Sequence, residues 1–207
     1  MAALRNTLNG LIFTIWAAYF AIPFFWLLVH PFAAFWRRRR GRTYAGFAVL
    51  TWSSFECFLW VTRPLWMRET FARSWPVMLL GAALIAVEPL LVSRIEKQLT
   101  GPILVGWAER DPEQFPPRVI DTGIYARLRH PRYVASMSAL LGLAICSGSL
   151  RPVELSLLSI PLYWLLTAAE ERELLARIGE PFREYRRRVP RFLPIGSRSG
   201  PIPGREE

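Results

Sequence analysis

The amino-acid sequence predicts an all-α membrane protein, and three observations lead to that fold class. The chain of 207 residues is 52% hydrophobic and 14% aromatic, yet it carries a formal net charge of +10. Long apolar segments alternate with basic blocks instead of mixing with them, which favours the bilayer as the solvent. No alternating strand–helix pattern and no glycine-rich phosphate loop appear, so a nucleotide-binding sheet domain is excluded.

Five apolar segments are candidates for membrane-spanning helices. They are residues 11–35, 45–62, 77–92, 133–150 and 153–169. A spanning helix needs about 20 apolar residues, within a range of about 17–25. The first segment is long enough and the others are marginal to adequate, so we expect a few to be tilted or short. We predict a single membrane domain over 1–207, with the first three spans in 1–95.

The distribution of positive charge predicts the orientation of these spans. Most of the 26 Lys and Arg residues lie between the first and second segments, between the third and fourth, or after the fifth. Basic residues concentrate in cytoplasmic loops. An odd number of spans follows, about five, with the N-terminus outside and the C-terminus in the cytoplasm. The excess of basic residues therefore indicates the orientation of the chain in the membrane. We expect membrane lipids as partners, and no nucleic acid.

The connection between the fourth and fifth segments predicts which residues meet. Only residues 148–152 join them, and so short a turn makes an antiparallel helical hairpin with legs of similar length. The loop before the fourth segment should therefore meet the residues that follow the fifth. This places His130 opposite Glu170 and Glu171.

These residues have the character of a binding site. Pro131 fits the first turn of a helix and disfavours the helical conformation of His130. Arg129 and His130 then lie just before a helix N-terminus, whose free amides attract anions. Glu170 and Glu171 oppose the dipole at a helix C-terminus. Basic and acidic groups at one pocket mouth fit a zwitterionic ligand, and simple ion pairing between the glutamates and neighbouring arginines is the alternative.

The C-terminal region predicts an amphipathic helical segment. A helical apolar stripe is formed by Leu174, Ile178, Phe182, Tyr185 and Val189. Gly179-Glu180-Pro181 divides it, because glycine ends helices and proline begins them. The surrounding arginines are typical of a helix bound to anionic lipid, and a lid over a cytoplasmic site is the alternative. Residues 195–207 predict a flexible tail.

A few other polar residues lie within or at the ends of the apolar segments. Glu56 and Glu88 are intramembrane carboxylates, which are either functional or hydrogen-bonded structural groups. His30, followed by Pro31, is interpreted as the boundary of the first segment. The cysteines and histidines show neither a disulfide pattern nor metal-ligand spacing, so no metal site is expected.

An ordered set of motifs occupies about residues 117–194. Its members are Thr122-Gly123-Ile124-Tyr125, Arg129-His130-Pro131-Arg132-Tyr133, Glu170-Glu171, Gly179, Tyr185, Val189-Pro190-Arg191-Phe192 and Pro194. In order and spacing, the set resembles the isoprenylcysteine carboxyl methyltransferase and phospholipid methyltransferase group of integral membrane enzymes. The resemblance marks 117–194 as the catalytic core.

The resemblance implies an activity and a set of site residues. The expected methyl donor is S-adenosylmethionine, bound at the cytoplasmic ends of the last helices, and the acceptor is lipophilic and enters from the bilayer. By resemblance the catalytic pair is Arg129 and Glu170. The implied cofactor contacts are Val119, Ile120, Tyr125, His130, Pro131, Arg132, Tyr133, Glu170 and Glu171.

The chain departs from the family pattern at three places. Ala135 replaces a usual glycine, and residues 178–182 replace a usual Phe-Gly-x-x-Tyr. Leu166 stands where the prenylcysteine enzymes carry an arginine that faces the acceptor carboxylate. This last departure speaks against carboxyl methylation of a prenylcysteine, though not against methyl transfer.

Several alternatives stay open at this point. The acceptor could be a phospholipid ethanolamine, a thiol, a phenol or a carboxylate. A membrane sterol or enone reductase that uses NADPH has a similar helical cofactor pocket, and a non-catalytic membrane scaffold is a third possibility. The sequence does not determine the oligomeric state.

Overall fold

Apart from one isolated β-bridge between Thr70 and Ser149, the regular secondary structure is helical in the part that the computed structural model describes, residues 2–39, 41–99 and 118–193. The helices are α1 (Ala2–Val29), α2 (Ala33–Arg37), α3 (Gly41–Trp66), α4 (Trp75–Ile95), α5 (Pro131–Ser147), α6 (Leu150–Leu158), α7 (Ile160–Ile178) and α8 (Glu180–Arg188). Short 3₁₀ turns cover His30–Phe32 and Gly123–Ala126. The predicted tail 195–207 and Pro194 of the C-terminal motif lie outside the described residues.

Four helical runs are long and apolar enough to cross a membrane. They are Asn6–Arg37, Gly41–Trp66, Trp75–Ile95 and Leu150–Ile178. The prediction of an all-α protein is therefore confirmed, as are four of the five predicted spans by length and composition. The segment 133–150 forms α5, which has 17 residues, and its crossing of the bilayer stays a prediction, as does the orientation of the chain.

Prolines and a glycine account for the breaks within these runs. Pro31 interrupts the first run after α1, and Pro161 begins α7 directly after α6, because a proline has no N–H to continue the helical ladder. Gly179 separates α7 from α8 with φ of +78°, a conformation that glycine adopts without strain. The division predicted at 179–181 and the boundary predicted at His30-Pro31 are confirmed, whereas the break at Pro161 was not predicted.

The central helix of the bundle is α5, which packs against α4, α1 and α6. Its contact with α4 is close because two glycines face each other there. A Cβ added at Gly142 would lie 2.6 Å from the Gly81 carbonyl oxygen and 2.9 Å from the Ile85 nitrogen. Small residues allow helix backbones to approach in membrane bundles. The Gly81–Gly142 contact therefore sets the separation of α4 and α5.

Aromatic side chains join α1 to the C-terminal helices. Trp16 is buried, stacks on Phe20 with ring centroids 5.1 Å apart, and donates from Nε1 to Ser156 Oγ at 3.0 Å. Tyr163 of α7 is fully buried and donates to the Tyr19 carbonyl at 3.3 Å. By contrast α3 packs mainly on α1 and exposes apolar side chains such as Val61, as expected for a face in contact with lipid.

Backbone hydrogen bonds close the bundle at the end formed by the α5–α6 turn. The Phe71 amide donates to the Gly148 carbonyl at 2.9 Å, and the Leu150 amide donates to the Glu69 carbonyl at 2.8 Å. The opposite end gathers the end of α1, the start of α5 and the end of α7. The predicted hairpin is thereby confirmed, because His130 at the start of α5 reaches the glutamates near the end of α7.

The Gly81–Gly142 contact gives a testable consequence for stability. Gly142→Ala should destabilise the protein by roughly 1–3 kcal/mol, because the added methyl group collides with the backbone of α4. Gly46→Ala in α3 is the matched control, since a Cβ there meets nothing within 4 Å. Thermal unfolding in detergent measures both. Equal stability of the two variants would contradict the close packing.

Candidate functional site

A buried carboxylate organises one end of the bundle. Glu171 of α7 is 1% exposed and has basic partners from two other parts of the chain. Its Oε1 accepts a hydrogen bond from His130 Nε2 at 3.0 Å and forms an ion pair with Arg129, whose Nη1 lies 2.8 Å away. Arg191 donates to both oxygens, from Nε at 3.1 Å and from Nη2 at 2.8 Å. A buried carboxylate is tolerated when its oxygens are satisfied in this way.

The backbone around this carboxylate is also paired. The Arg129 amide donates to the Pro190 carbonyl at 2.9 Å, and the His130 amide donates to the Arg191 carbonyl at 3.2 Å. The segment after α8 thus lies along the loop that precedes α5. Arg191 additionally packs its guanidinium over the Trp164 ring at 4.9 Å, which holds the segment against α7.

Helix α8 covers this loop from the outside. Phe182, Tyr185 and Val189 are buried together, with Val119 packed against them. The Tyr185 hydroxyl donates to the Tyr125 carbonyl at 2.7 Å. Burial is the largest cause that raises the pKa of Tyr185, so its hydroxyl stays protonated and remains a donor. The apolar stripe predicted for this region therefore faces protein in the structure.

The second glutamate, Glu170, has a different environment. Its Oε2 lies 3.6 Å from His130 Nδ1 and 3.9 Å from His30 Nε2, both beyond hydrogen-bonding distance. That oxygen is buried and has no hydrogen-bond partner, and neither ring nitrogen of His30 has one. The His30 ring stacks on Trp26 with centroids 5.1 Å apart. We call Glu170, His30 and His130 the open cluster, because Glu170 Oε2 and both His30 ring nitrogens are buried there without a hydrogen-bond partner.

Aromatic and basic side chains surround the open cluster. The Tyr133 ring stacks on His130 with centroids 5.8 Å apart. The pKa of Tyr125 is raised by its burial and then by the charge of Glu170, while Arg132 acts in the opposite direction. Arg132 also lies over the Trp26 ring at 5.6 Å. Tyr125 and Arg132 are therefore within electrostatic reach of the open cluster.

The remaining predicted site residues lie at the start of α5 and in the segment beneath α8. Pro131 is buried and begins α5, as predicted. Val119 lies under α8, and Ile120 beside it is half-buried. The predicted site residues thus fall into three places: the Glu171 network, the open cluster with its aromatic neighbours, and the irregular segment beneath α8.

The two residues of the predicted catalytic pair have different surroundings. Arg129 contacts Glu171 at 2.8 Å, and Glu170 faces the histidines instead. The ion-pairing alternative therefore describes Glu171, and the pocket interpretation fits Glu170. Burial lowers the pKa of Arg129 and the carboxylate of Glu171 opposes that shift, so the two groups stabilise each other's charge.

Sequence reasoning missed His30, which was interpreted only as a boundary. Its side chain is 2% exposed and lies beside Glu170, although 140 positions separate the two residues. One feature of the sequence could have indicated this role: His30 ends the first apolar segment on the same side of the membrane as the one predicted for Glu170. Arg191 belonged to the motif, yet its contact with Glu171 could not be inferred from spacing.

A cavity of about 260 Å³ lies next to this end of the bundle. Its lining residues are Tyr19, Ile22, Glu88, Val92, Ile95, Arg132, Ala135 and Ser136. The Tyr19 hydroxyl and the Glu88 carboxylate interact within it. Arg132 links the cavity to the open cluster, because it lies two positions from His130. Glu56, in α3, is not part of the lining.

The described residues contain no group of three or more His, Cys, Asp or Glu side chains placed to hold a metal ion. The cysteines also lie apart from the site, with Cys57 exposed on α3 and Cys146 buried in α5.

The fold and the site define a multi-pass helical membrane protein with a polar cluster at one end of its C-terminal hairpin. A family model described as phospholipid methyltransferase matches residues 76–179, from the start of α4 to the glycine after α7. The chain belongs to this phospholipid methyltransferase family. Its members use S-adenosylmethionine as methyl donor, as the resemblance in the sequence implied.

Two curated relatives are similar over a shorter region. The nickel-cobalt-cadmium resistance protein NccN of Alcaligenes xylosoxydans xylosoxydans is 32% identical over 76 residues, 37% of this chain and 36% of the relative. The cobalt-zinc-cadmium resistance protein CzcN of Cupriavidus metallidurans is 33% identical over 76 residues, 37% of this chain and 35% of the relative. The chain therefore matches about a third of each relative's length. No solved structure matches this chain.

The Glu171 network predicts a large loss of stability on neutralisation. Glu171→Gln leaves Arg129 and Arg191 buried without their counter-charge, which should cost about 3–5 kcal/mol. Glu180→Gln is the control, because Glu180 is 53% exposed in its pair with Arg183 and surface pairs contribute little. Thermal unfolding of both variants in detergent measures the difference. A Glu171→Gln variant as stable as the control would show that the network is not structural.

Proposed function

We propose that this protein transfers a methyl group from S-adenosylmethionine to a lipophilic acceptor in the membrane. Membership of the phospholipid methyltransferase family supports the reaction class. The observation that carries the proposal for this chain is the open cluster, whose buried polar atoms are unsatisfied. Buried polar groups nearly always have partners, so their arrangement favours a ligand with complementary groups.

The residues around the open cluster fit the methyl donor chemically. The donor has an ammonium, a carboxylate, ribose hydroxyls and a cationic sulfonium, and it supplies a methyl group activated on sulfur. Glu170 offers an unpaired carboxylate oxygen, and His130 Nδ1 lies 3.6 Å from it. The rings of Tyr125 and Tyr133 offer faces that attract cations. These residues are the ones that we propose to hold it.

The protein's own residues would contribute mainly by positioning. Glu171 accepts from His130 Nε2, which fixes the ring so that Nδ1 faces Glu170. Arg129 and Arg191 hold Glu171 in turn. Methyl transfer from a sulfonium needs alignment more than acid–base help, because the leaving group is neutral. We therefore propose Arg129 as a positioning residue and Glu170 as the residue in contact with the ligand.

The cavity beside Arg132 is the proposed site for the polar end of the acceptor. Ile22, Val92 and Ile95 give it apolar walls suited to a lipid, and Glu88 places a carboxylate inside it. A carboxylate accepts hydrogen bonds from an amine, a hydroxyl or a thiol and repels another carboxylate. Together with Leu166 in place of an arginine, this favours acceptors with N–H, O–H or S–H groups over carboxylates.

The proposed orientation places the open cluster at the cytoplasmic face. The arginines of the C-terminal region and of the segment after α1 lie at this end of the bundle, as the positive-inside rule requires of a cytoplasmic end. The donor would then reach the site from the cytoplasm, and the acceptor would enter the cavity from the bilayer between the helices.

The alternatives receive less support from the geometry. An NADPH-dependent reductase needs cations for a 2′-phosphate, yet Arg129 and Arg191 are already paired with Glu171. A pure scaffold gains nothing from unsatisfied buried groups. The relatives' names concern metal resistance, and we propose that the shared region is a methyltransferase core in this chain.

Binding of S-adenosylmethionine by Glu170→Gln tests the proposed function. The purified wild-type protein in detergent should bind the donor, and the variant should bind it about 10-fold more weakly or worse, as expected when a charged hydrogen-bond acceptor is lost. Isothermal titration calorimetry measures both dissociation constants. Thermal unfolding should show little change, since Glu170 Oε2 makes no hydrogen bond.

The control for this experiment is Glu154→Gln in α6. It removes the same charge, but from an exposed carboxylate that pairs with Arg151 at the opposite end of the bundle. Donor affinity should stay near that of the wild type. Folded wild-type protein that binds no S-adenosylmethionine would refute the proposed function.

Glu88→Gln tests the acceptor site separately from the donor site. The apparent KM for the lipid acceptor should rise about 10-fold, because the hydrogen bond from the acceptor to a charged carboxylate is lost. Donor affinity should not change. Labelled donor and a membrane lipid extract provide the assay, and Glu56→Gln, outside the cavity, is the control. An unchanged KM would remove the cavity from the acceptor site.

A further inference from the structure

We propose that His30 is a ligand-binding residue of this site, and that His30, His130 and Glu170 together bind the ammonium group of S-adenosylmethionine. The inference rests on the proposed function and adds a residue from outside the family match, which begins at residue 76. It also assigns the ammonium group of the donor to the side chains of the open cluster.

The state of the His30 ring is the first observation. The side chain is 2% exposed, and neither of its ring nitrogens has a hydrogen-bond partner. Leaving a buried polar group unpaired is unfavourable, because the group has lost its hydrogen bonds to water. Stacking on Trp26 holds the ring in place, so the ring cannot rotate toward another side chain without losing this contact. A bound ligand is therefore the favoured hydrogen-bond partner.

The groups that face His30 define what that ligand must offer. Glu170 Oε2 lies 3.9 Å from His30 Nε2 and 3.6 Å from His130 Nδ1. A carboxylate only accepts hydrogen bonds, so His130 must carry its proton on Nε2, where it contacts Glu171 at 3.0 Å. In the neutral ring Nδ1 is then an acceptor as well. His30 can likewise present an unprotonated Nε2.

Three acceptors thus converge on the space between these side chains. An ammonium group has three N–H donors and a positive charge, which matches the acceptor count and the charge of Glu170. A ligand carboxylate does not match these three groups, because between them it would meet only acceptors and a like charge. Of the neighbouring cations, Arg129 and Arg191 are paired with Glu171, Arg177 is paired with Glu173, and Arg132 lies over the Trp26 ring.

The N-terminal segment is held against α7 in a way that fixes His30. The 3₁₀ turn His30–Phe32 packs on α7, and Pro31 lies within it. Seven residues after His30, Arg37 Nη1 contacts Glu173 Oε1 at 3.4 Å. The end of α1 therefore completes a site whose other residues come from the C-terminal hairpin.

The test pairs one protein change with one ligand change. S-adenosylhomocysteine keeps the amino group and transfers no methyl group, and its deaminated analogue lacks only that amine. His30→Ala should weaken binding of S-adenosylhomocysteine about 10-fold. It should leave binding of the deaminated analogue unchanged, because that ligand has no group for His30 to accept from. Calorimetric dissociation constants for the four combinations form the cycle.

Two further variants complete the experiment. Phe32→Ala changes the same turn at a side chain that is 56% exposed, and it should bind both ligands as the wild type does. His30→Asn keeps a hydrogen-bond acceptor and should recover part of the affinity for S-adenosylhomocysteine. If His30→Ala does not fold, the same cycle is measured with His30→Leu, which fills the site without a polar atom.

The outcomes separate the two levels of the proposal. Equal weakening of both ligands by His30→Ala would show a packing role and overturn the ammonium assignment, and so would no weakening of either. A wild-type protein that binds neither ligand would overturn the proposed function together with the inference. Loss confined to the ligand that carries the amine supports both.

Discussion

The buried carboxylate of Glu171 is the interaction on which the rest of the site depends. Removing a charge from water is costly, and the cost is offset only when good hydrogen bonds replace the lost water. Here the replacement is hydrogen bonds from His130 and Arg191, together with the ion pair with Arg129. Because these donors lie before α5 and after α8, satisfying one carboxylate fixes the start of α5, the end of α7 and the covering segment relative to each other.

The adjacent glutamate shows the opposite state, and the contrast is informative. Successive residues of an α-helix point about 100° apart, so Glu170 and Glu171 face different surroundings although they are neighbours. Glu171 is saturated, whereas Glu170 meets His30 and His130 without a hydrogen bond. A saturated network gives rigidity, and unsatisfied groups held by a rigid frame are characteristic of binding sites. The Glu171 network can thus be understood as the support for the open cluster.

Much of the architecture was accessible from the sequence because it depends on local patterns. Apolar runs indicated the helices, and the short turn at 148–152 required the hairpin that brings His130 to α7. The order of motifs indicated the family. The partner of Arg129 was not accessible, because it depends on the rotation of α7 about its axis, and adjacent glutamates have the same sequence signal. His30 was missed because its approach to α7 is a long-range packing result that no local periodicity encodes.

The position of Arg191 has a consequence for how the protein is assembled. Chains are made from the N-terminus onward, and their regions fold in that order. Both legs of the hairpin can therefore meet before Arg191 exists, and in that interval Glu171 lacks the donor that contacts both of its oxygens. Any product that stops short of position 191 retains this deficit permanently. The contact of Arg191 with Glu171 thus distinguishes a chain that reaches position 191 from one that stops before it.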